Sequence, residues 1–227
     1  MDSISPYFPH DISSIDLNRK YLGNEIVTNH YGEEEIAIVT SRGCAYNCAF
    51  CGGAKSLNQE IPIRIRSKES ITKELNEIIS AYPNVRSVRI LDDLFLRGRQ
   101  SILMANDIFA RHTHLSWRGM AHILPLTRAF DQIMDLKRGQ CRELFVGIES
   151  GSDRIRNKIN KLGSAEDVLR VSCEIMRCGI DPPLYNFPIV ADLAKTQNLT
   201  ASIMMAELFS VSAEKAKLDK NSCSCMF

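Results

Sequence analysis

Tryptophan occurs once, aromatic residues make up 7% of the chain, and no stretch approaches the roughly 18 uncharged apolar residues that a membrane-spanning helix needs. Charge of either sign is in no excess: 28 Lys and Arg stand against 27 Asp and Glu, a formal net charge of +1 over 227 residues. That balance lacks the basic face of a nucleic-acid binder, so no nucleic-acid partner is indicated. The opening segment MDSISPYFPHDISSIDL carries acids early and lacks the apolar core of a secretion signal. Together these absences point to a cytoplasmic protein with no membrane partner. In such a reducing compartment its eight cysteines read as thiols or metal ligands and not as a disulfide framework.

What the chain does have is 44% hydrophobic residues, enough to bury one ordinary domain. Residues 1–33 form a polar lead, residues 34–210 carry the periodic patterns, and residues 211–227 are a polar tail. The run Glu35 to Thr40 reads as a short buried strand. Ser67 is placed to cap a helix with Ile71, Leu75, Ile78 and Ile79 on one side, stopped by Pro83 and Asn84. Strands are expected at Val85–Leu91, Leu115–Ala121, Leu144–Ile148 and Leu184–Val190. Helices are expected at Gln100–Arg111, Leu126–Leu136, from Ser164 to about Cys178, and at Leu193–Phe209, with Ser164 and Asp167 spaced as in a capping box. Alternation of strand and helix implies parallel strands with crossover helices, and a site built from loops at the carboxyl ends of those strands.

Directly after the first strand, Cys44, Cys48 and Cys51 share one short loop, Thr40-Ser41-Arg42-Gly43-Cys44-Ala45-Tyr46-Asn47-Cys48-Ala49-Phe50-Cys51-Gly52-Gly53. Glycines at its edges let the backbone fold around a cluster, and three thiolates can hold three irons of a cubane. A structural zinc site would want a fourth Cys or His nearby, whereas His30 precedes the strand and Cys141 is far downstream. Buried thiols or a zinc loop are the alternatives.

The spacing of the three cysteines, the aromatic Phe50 before the last of them and the position after a first strand resemble the radical S-adenosylmethionine superfamily. The resemblance implies an α/β fold, a partial parallel (β/α) barrel with about five strand-helix units of the family's usual six. It further implies a 4Fe-4S cluster held by Cys44, Cys48 and Cys51, with S-adenosylmethionine on the fourth iron, reductively cleaved to a 5′-deoxyadenosyl radical. An electron donor such as a flavodoxin or ferredoxin is implied as partner. The substrate is not.

Other segments extend the resemblance. Ile90-Leu91-Asp92-Asp93 ends the second strand on two carboxylates, either of which can meet the cosubstrate ammonium or instead cap the following loop. Phe145-Val146-Gly147-Ile148-Glu149-Ser150-Gly151-Ser152 is similar to a fourth-strand motif of cobalamin-associated members, which implies Glu149 and Ser150 beside the cosubstrate; a plain strand-to-helix turn is the alternative. Arg66 reads as structural. The lead Tyr7 to Tyr21 is similar to the connector from an upstream cobalamin domain that this chain lacks, so cobalamin is expected only through a partner.

The fifth-strand segment Tyr185 to Asp192 keeps Phe187-Pro188 but lacks the family's glycines, and too few residues follow for a sixth unit. A partner chain covering an open barrel edge is therefore expected, and a non-catalytic iron-sulfur protein or subunit is the competing reading. Cys141, Cys173 and Cys178 are assigned to packing, His112 and His114 to the surface, Trp117 to core or pocket wall, and Cys223 and Cys225 to tail thiols.

Overall fold

The structure, a computed structural model, describes residues 11–15, 19 and 26–181. In chain order its elements are β1 (Val27–Thr28), β2 (Glu34–Ile38), β3 (Ser41–Arg42), β4 (Arg64–Ile65), α1 (Lys68–Ala81), β5 (Ser87–Ile90) and α2 (Arg99–Phe109). There follow β6 (Ser116–Ala121), α3 (Ile123–Arg128), α4 (Ile133–Arg138), β7 (Cys141–Val146), α5 (Asp153–Lys158) and α6 (Ala165–Arg177). The main sheet runs β1-β2-β5-β6-β7, with β2, β5, β6 and β7 mutually parallel and β1 antiparallel against β2. Helices cross over between successive parallel strands, and sequential strands are neighbours, the order of a (β/α) barrel wall.

One face of each strand is apolar and meets the helices. Ile36 and Ile38, Val88 and Ile90, Trp117, and Leu144 and Val146 join Leu75, Ile102, Phe109, Val171 and Ile175 in one buried cluster. Trp117 sits edge-on to Phe95 at 5.3 Å and stacks on Phe109 at 5.6 Å, and its indole N–H donates to Gly139 O at 2.6 Å. It is core.

The alternate residues point to the concave side, where the sheet's curvature is visible in one ion network. Arg118 of β6 donates to Glu35 of β2 and to Glu143 of β7 at 2.6 and 2.7 Å, although β5 lies between β2 and β6. Ser87 of β5 donates to Glu35 at 2.9 Å. Burial by itself would lower the Arg118 guanidinium, but the two carboxylates outweigh it and its net shift is upward; burial likewise works against ionised Glu35, and Arg118 overrides it.

Capping follows the expected chemistry. Ser67 Oγ accepts from Ser70 N at 3.1 Å, and Ser164 and Asp167 form the reciprocal box at 3.0 and 3.1 Å. Elsewhere the structure departs from the reading of the sequence. The lead contributes a strand: β1 turns into β2 through Asn29, whose side chain accepts from Tyr31 N and Glu33 N, and through Gly32 at φ 77°. The first parallel strand therefore has its outer edge paired by this short antiparallel strand. The third helix is two, with a single 3-10 turn between α3 and α4. β7 begins three residues before Leu144, because Glu143 is satisfied by Arg118 inside the sheet. A short helix, α5, precedes α6. His112 is buried, with Nδ1 against Ile108 O at 2.9 Å and Nε2 against Asn76 Oδ1 at 3.0 Å, which corrects its placement on the surface.

After α6 the chain comes back alongside β7: Asp181 N donates to Arg142 O at 2.9 Å and Asp181 bridges Glu143 in parallel. The strand expected at Leu184–Val190, the helix at Leu193–Phe209, the segment Tyr185 to Asp192, Cys223 and Cys225 lie outside the described residues, as does most of Tyr7 to Tyr21.

Candidate active site

The three cysteines lie on the loop that leaves β2 and is framed by the ribbon β3–β4, in which Ser41 pairs Ile65 and Arg42 pairs Arg64. Gly43, at φ 92°, opens the loop, and Cys51 N to Cys48 O and Ala54 N to Cys51 O are its internal bonds at 3.1 Å. Asn47 and Asn58 hold it from their side chains, Asn47 Oδ1 accepting from Ser56 N at 2.7 Å and Asn58 Nδ2 donating to Gly52 O and Ala54 O at 2.9 Å. Cys44 is half-buried, Cys48 buried and Cys51 exposed, and no disulfide joins the described cysteines. Burial pushes the Cys48 thiol up, opposed by the Lys161 ammonium.

Asp92 and Asp93 take different positions. Asp92 is 2% exposed and accepts from Thr40 N at 2.7 Å, Ser41 N at 3.0 Å and both hydroxyls of those residues. It ties the end of β5 to the end of β2, directly before the cysteine loop. Asp93 accepts from Gly43 N at 2.8 Å in a more open setting. Arg97 donates to Ser41 Oγ and feels the charges of Asp92, Cys44 and Asp93, while burial draws its guanidinium down and its Nε has no hydrogen-bond partner.

The loop after β7 faces the cysteine loop. Glu149 adopts φ 67°, a left-handed backbone uncommon for a non-glycine residue, and Ser150 is buried. The buried Arg156 of α5 fixes this turn, donating to Gly163 O at 2.8 Å, Leu162 O at 3.1 Å, Ser150 O at 3.3 Å and Ile148 O. Lys161, 8% exposed, lies 3.5 Å from Glu149 Oε1 and 5.9 Å from the centre of the Phe50 ring. A Cβ on Gly147 would come within 2.6 Å of the Glu149 carboxylate and 2.9 Å of Lys161 Nζ, so a larger residue there requires the ends of both side chains to shift. Two hydrogen bonds join the cysteine loop to the end of α5: Ala49 N donates to Ile159 O at 2.9 Å and the Asn160 side-chain Nδ2 donates to Asn47 O at 2.8 Å.

His122, at the carboxyl end of β6, completes the ring of side chains. It stacks on Tyr46 of the cysteine loop at 4.1 Å, and its Nδ1 accepts from Leu124 N at 3.1 Å. That bond places the proton of the neutral ring on Nε2, which is buried with no partner. Burial, then Lys161 and Arg156, push its pKa down to about 3, so the imidazole is neutral across the physiological range.

The structure thus brings Cys44, Cys48, Cys51, Glu149 and the side of Asp92–Asp93 to one end of the sheet, with Asp92 bound up in the scaffold. Ser150 lies in the adjoining turn, its hydroxyl accepting from Ser152 N at 3.1 Å. Sequence reasoning missed His122, Lys161, Arg97 and Arg156. His122 occupies the carboxyl end of a predicted strand, a position that itself signals function; the others carry no local signal. Arg66 is structural, donating to Val39 O at 2.9 Å and to Glu74.

The donor set suits a cluster. Among the described residues no three His, Cys, Asp or Glu side chains converge closely enough to hold a single metal ion. Three thiols on one loop match in kind and number the cysteine ligands of a cubane, in which each thiolate binds a different iron. The partnerless Nε2 of His122 and Nε of Arg97 add buried donors beside that loop.

Comparison with known proteins agrees with this geometry. Residues 38–192 match the family model of the radical SAM superfamily, and the chain belongs to that superfamily. It is 30% identical over 125 residues to an uncharacterized methyltransferase of Pyrococcus horikoshii, covering 55% of this chain and 26% of that protein. Its fold is similar to the cobalamin-dependent S-adenosylmethionine radical enzyme OxsB, with a TM-score of 0.62 and 18% identity over 74% of this chain and 26% of that one. It is also similar to the radical S-adenosylmethionine methyltransferase TsrM from Kitasatospora setae, with a TM-score of 0.55 and 17% identity over 77% of this chain and 32% of that one. The fold is therefore the parallel α/β wall of the radical SAM family. The chain spans about a quarter of the length of the first relatives it matches.

Proposed function

We propose that this chain is a cytoplasmic radical S-adenosylmethionine enzyme whose radical domain spans residues 34–210, with residues 1–33 as connector and 211–227 as tail. Cys44, Cys48 and Cys51 hold a 4Fe-4S cluster. When bound, the cluster supplies the electron that cleaves S-adenosylmethionine reductively to methionine and a 5′-deoxyadenosyl radical. The observation that carries the reading is the cysteine loop bonded to the end of α5, beside the Gly147–Ser150 turn, at one end of a family-matched parallel sheet.

Each residue then has a task of its own. Glu149 and Ser150, with Asp93, line the place of the cosubstrate, where a carboxylate can accept from an ammonium or a ribose hydroxyl. Lys161 balances Glu149 and supplies a cation for a carboxylate. His122 offers a neutral N–H donor that does not gain a proton near neutral pH. Asp92 and Arg156 position the two loops without touching the reactants. The phenol of Tyr46 lies beside Cys44 and Cys48.

A partner chain that covers the barrel wall and an electron donor such as a flavodoxin or ferredoxin belong to the proposal. Cobalamin, named with the neighbouring structures OxsB and TsrM, joins the proposal as a group that a partner chain can supply. Anaerobic reconstitution followed by electron paramagnetic resonance tests the open-iron arrangement: S-adenosylmethionine should alter the spectrum of the reduced cluster. A spectrum indifferent to saturating S-adenosylmethionine would assign the chain to the non-catalytic iron-sulfur reading.

A further inference from the structure

The concave side of the sheet is layered. The lower layer is the network of Glu35, Ser87, Arg118 and Glu143, all buried and mutually bonded. One pleat nearer the carboxyl ends, the strand register sets Ala37 beside Arg89, and Met120 beside Phe145. Here the burial ends: Ala37 and Arg89 are exposed, Met120 is 39% exposed and Phe145 is half-buried. Space therefore opens above a closed polar floor and below the strand ends that carry the cysteine loop.

Arg89 is the anomaly in that space. Parallel strands covered on both faces are ordinarily filled with Val, Ile and Leu, so a guanidinium on the inward face stands out. The buried Arg118, its register partner on β6, is neutralised by two acids. Arg89 has no ion pair among the described residues; its neighbour is the Phe145 ring, with the guanidinium carbon 5.4 Å from the ring centre. Arg118 lies 5.5 Å from the same ring, so Phe145 is flanked by one neutralised and one unneutralised guanidinium. Stacking on a ring holds the plane of the guanidinium but leaves its N–H donors unused, and those donors match the two oxygens of a carboxylate or phosphate.

Resting on the function proposed above, we propose that Arg89 anchors the substrate, which is an organic anion with a carboxylate or phosphate group and an apolar body lying along Phe145 and Met120. Three residues beyond Arg89, Asp92 fixes the start of the cysteine loop. The anchored end therefore sits a layer beneath that loop, with the rest of the substrate directed toward it. The charge and the aromatic ring select the substrate class, and the cysteines do not.

The test is binding, read on cluster-reconstituted protein saturated with S-adenosylmethionine so that the cosubstrate's own carboxylate site is filled. Calorimetry or ligand-observed NMR compares phenylpropionate, phenyl phosphate and the neutral phenylpropionamide against wild type, Arg89→Gln and Arg89→Lys. Wild type should prefer one or both anions over the amide by about tenfold, the scale of one charge-assisted bidentate contact. Arg89→Gln should lose that preference and Arg89→Lys retain part of it, and whichever anion is preferred separates the carboxylate class from the phosphate class. Equal affinity of wild type and Arg89→Gln for the anions, no anion preference in wild type, or a loss of S-adenosylmethionine affinity in Arg89→Gln would each overturn the assignment. Since none of these readings requires turnover, failure to cleave the cosubstrate counts against the function proposed above and leaves the anchor to be judged by anion binding.

Discussion

The two ends of the concave side handle buried charge in opposite ways. At the floor, Arg118 is matched by Glu35 and Glu143, and Glu35 accepts in turn from Ser87 and Asn29. At the carboxyl ends, Glu149 and Lys161 stand 3.5 Å apart, His122 and Arg97 each keep a buried nitrogen without a partner, and Glu149 holds a left-handed backbone. Satisfied charges close a structure; unsatisfied donors and strain persist where a ligand completes them. The same sheet thus carries a floor that specifies the fold and a rim that is complementary to something else.

The largest effect expected is at the floor. Arg118→Met leaves Glu35 and Glu143 facing each other without their cation and should cost about 3–5 kcal/mol in a urea titration, the range for breaking a buried ion network. A loss under 1 kcal/mol would mean that the floor does not specify the fold.

Second is the pH response of the rim. His122 is neutral when folded, with a pKa near 3, whereas the unfolded chain takes up the proton near the ordinary value of about 6.5. The stability due to this neutral ring is present above about pH 6.5 and is lost as pH falls toward 3. Between pH 7 and pH 5 the loss is about 2 kcal/mol, and His122→Gln should remove that part of the slope in thermal melts. An unchanged slope would show that His122 does not exclude the proton.

Much of this was legible beforehand, for physical reasons that differ by element. The cysteine loop shows in sequence because its ligands are local. So do the caps Ser67 and Ser164, whose partners are three residues away. The break between α3 and α4 was hidden because Leu126, Ala129, Ile133 and Leu136 are all buried and keep helical spacing across it. The start of β7 was hidden because Glu143 reads as a surface residue until Arg118, twenty-five positions away, is found beside it. At the site, Cys44, Cys48, Cys51 and Glu149 were legible from motif, whereas Lys161, Arg97 and Arg89 acquire meaning only from strand register and loop packing.

A third variant separates rim from floor by affinity. Gly147→Ala displaces the carboxylate end of Glu149 and the ammonium end of Lys161 and should weaken S-adenosylmethionine binding about tenfold, or about 1.4 kcal/mol, measured by calorimetry on reconstituted protein. Undiminished affinity would remove the Glu149–Lys161 pair from the cosubstrate site. The smallest effect belongs to neither end: Ser164→Ala loses the α6 cap and should cost about 1 kcal/mol of stability without changing cosubstrate affinity. A change in affinity there would show that α6 is coupled to the rim and that the two ends are not independent.

The central claim, that the rim assembles a cluster able to cleave S-adenosylmethionine, is tested most directly by product. Wild type and Cys48→Ala are reconstituted anaerobically with iron and sulfide, reduced with dithionite, and assayed for 5′-deoxyadenosine. The account predicts an iron-loaded wild type that forms 5′-deoxyadenosine and a Cys48→Ala protein that forms none. A wild type that holds a reduced cluster but leaves S-adenosylmethionine intact, or a Cys48→Ala protein as active as wild type, would contradict it.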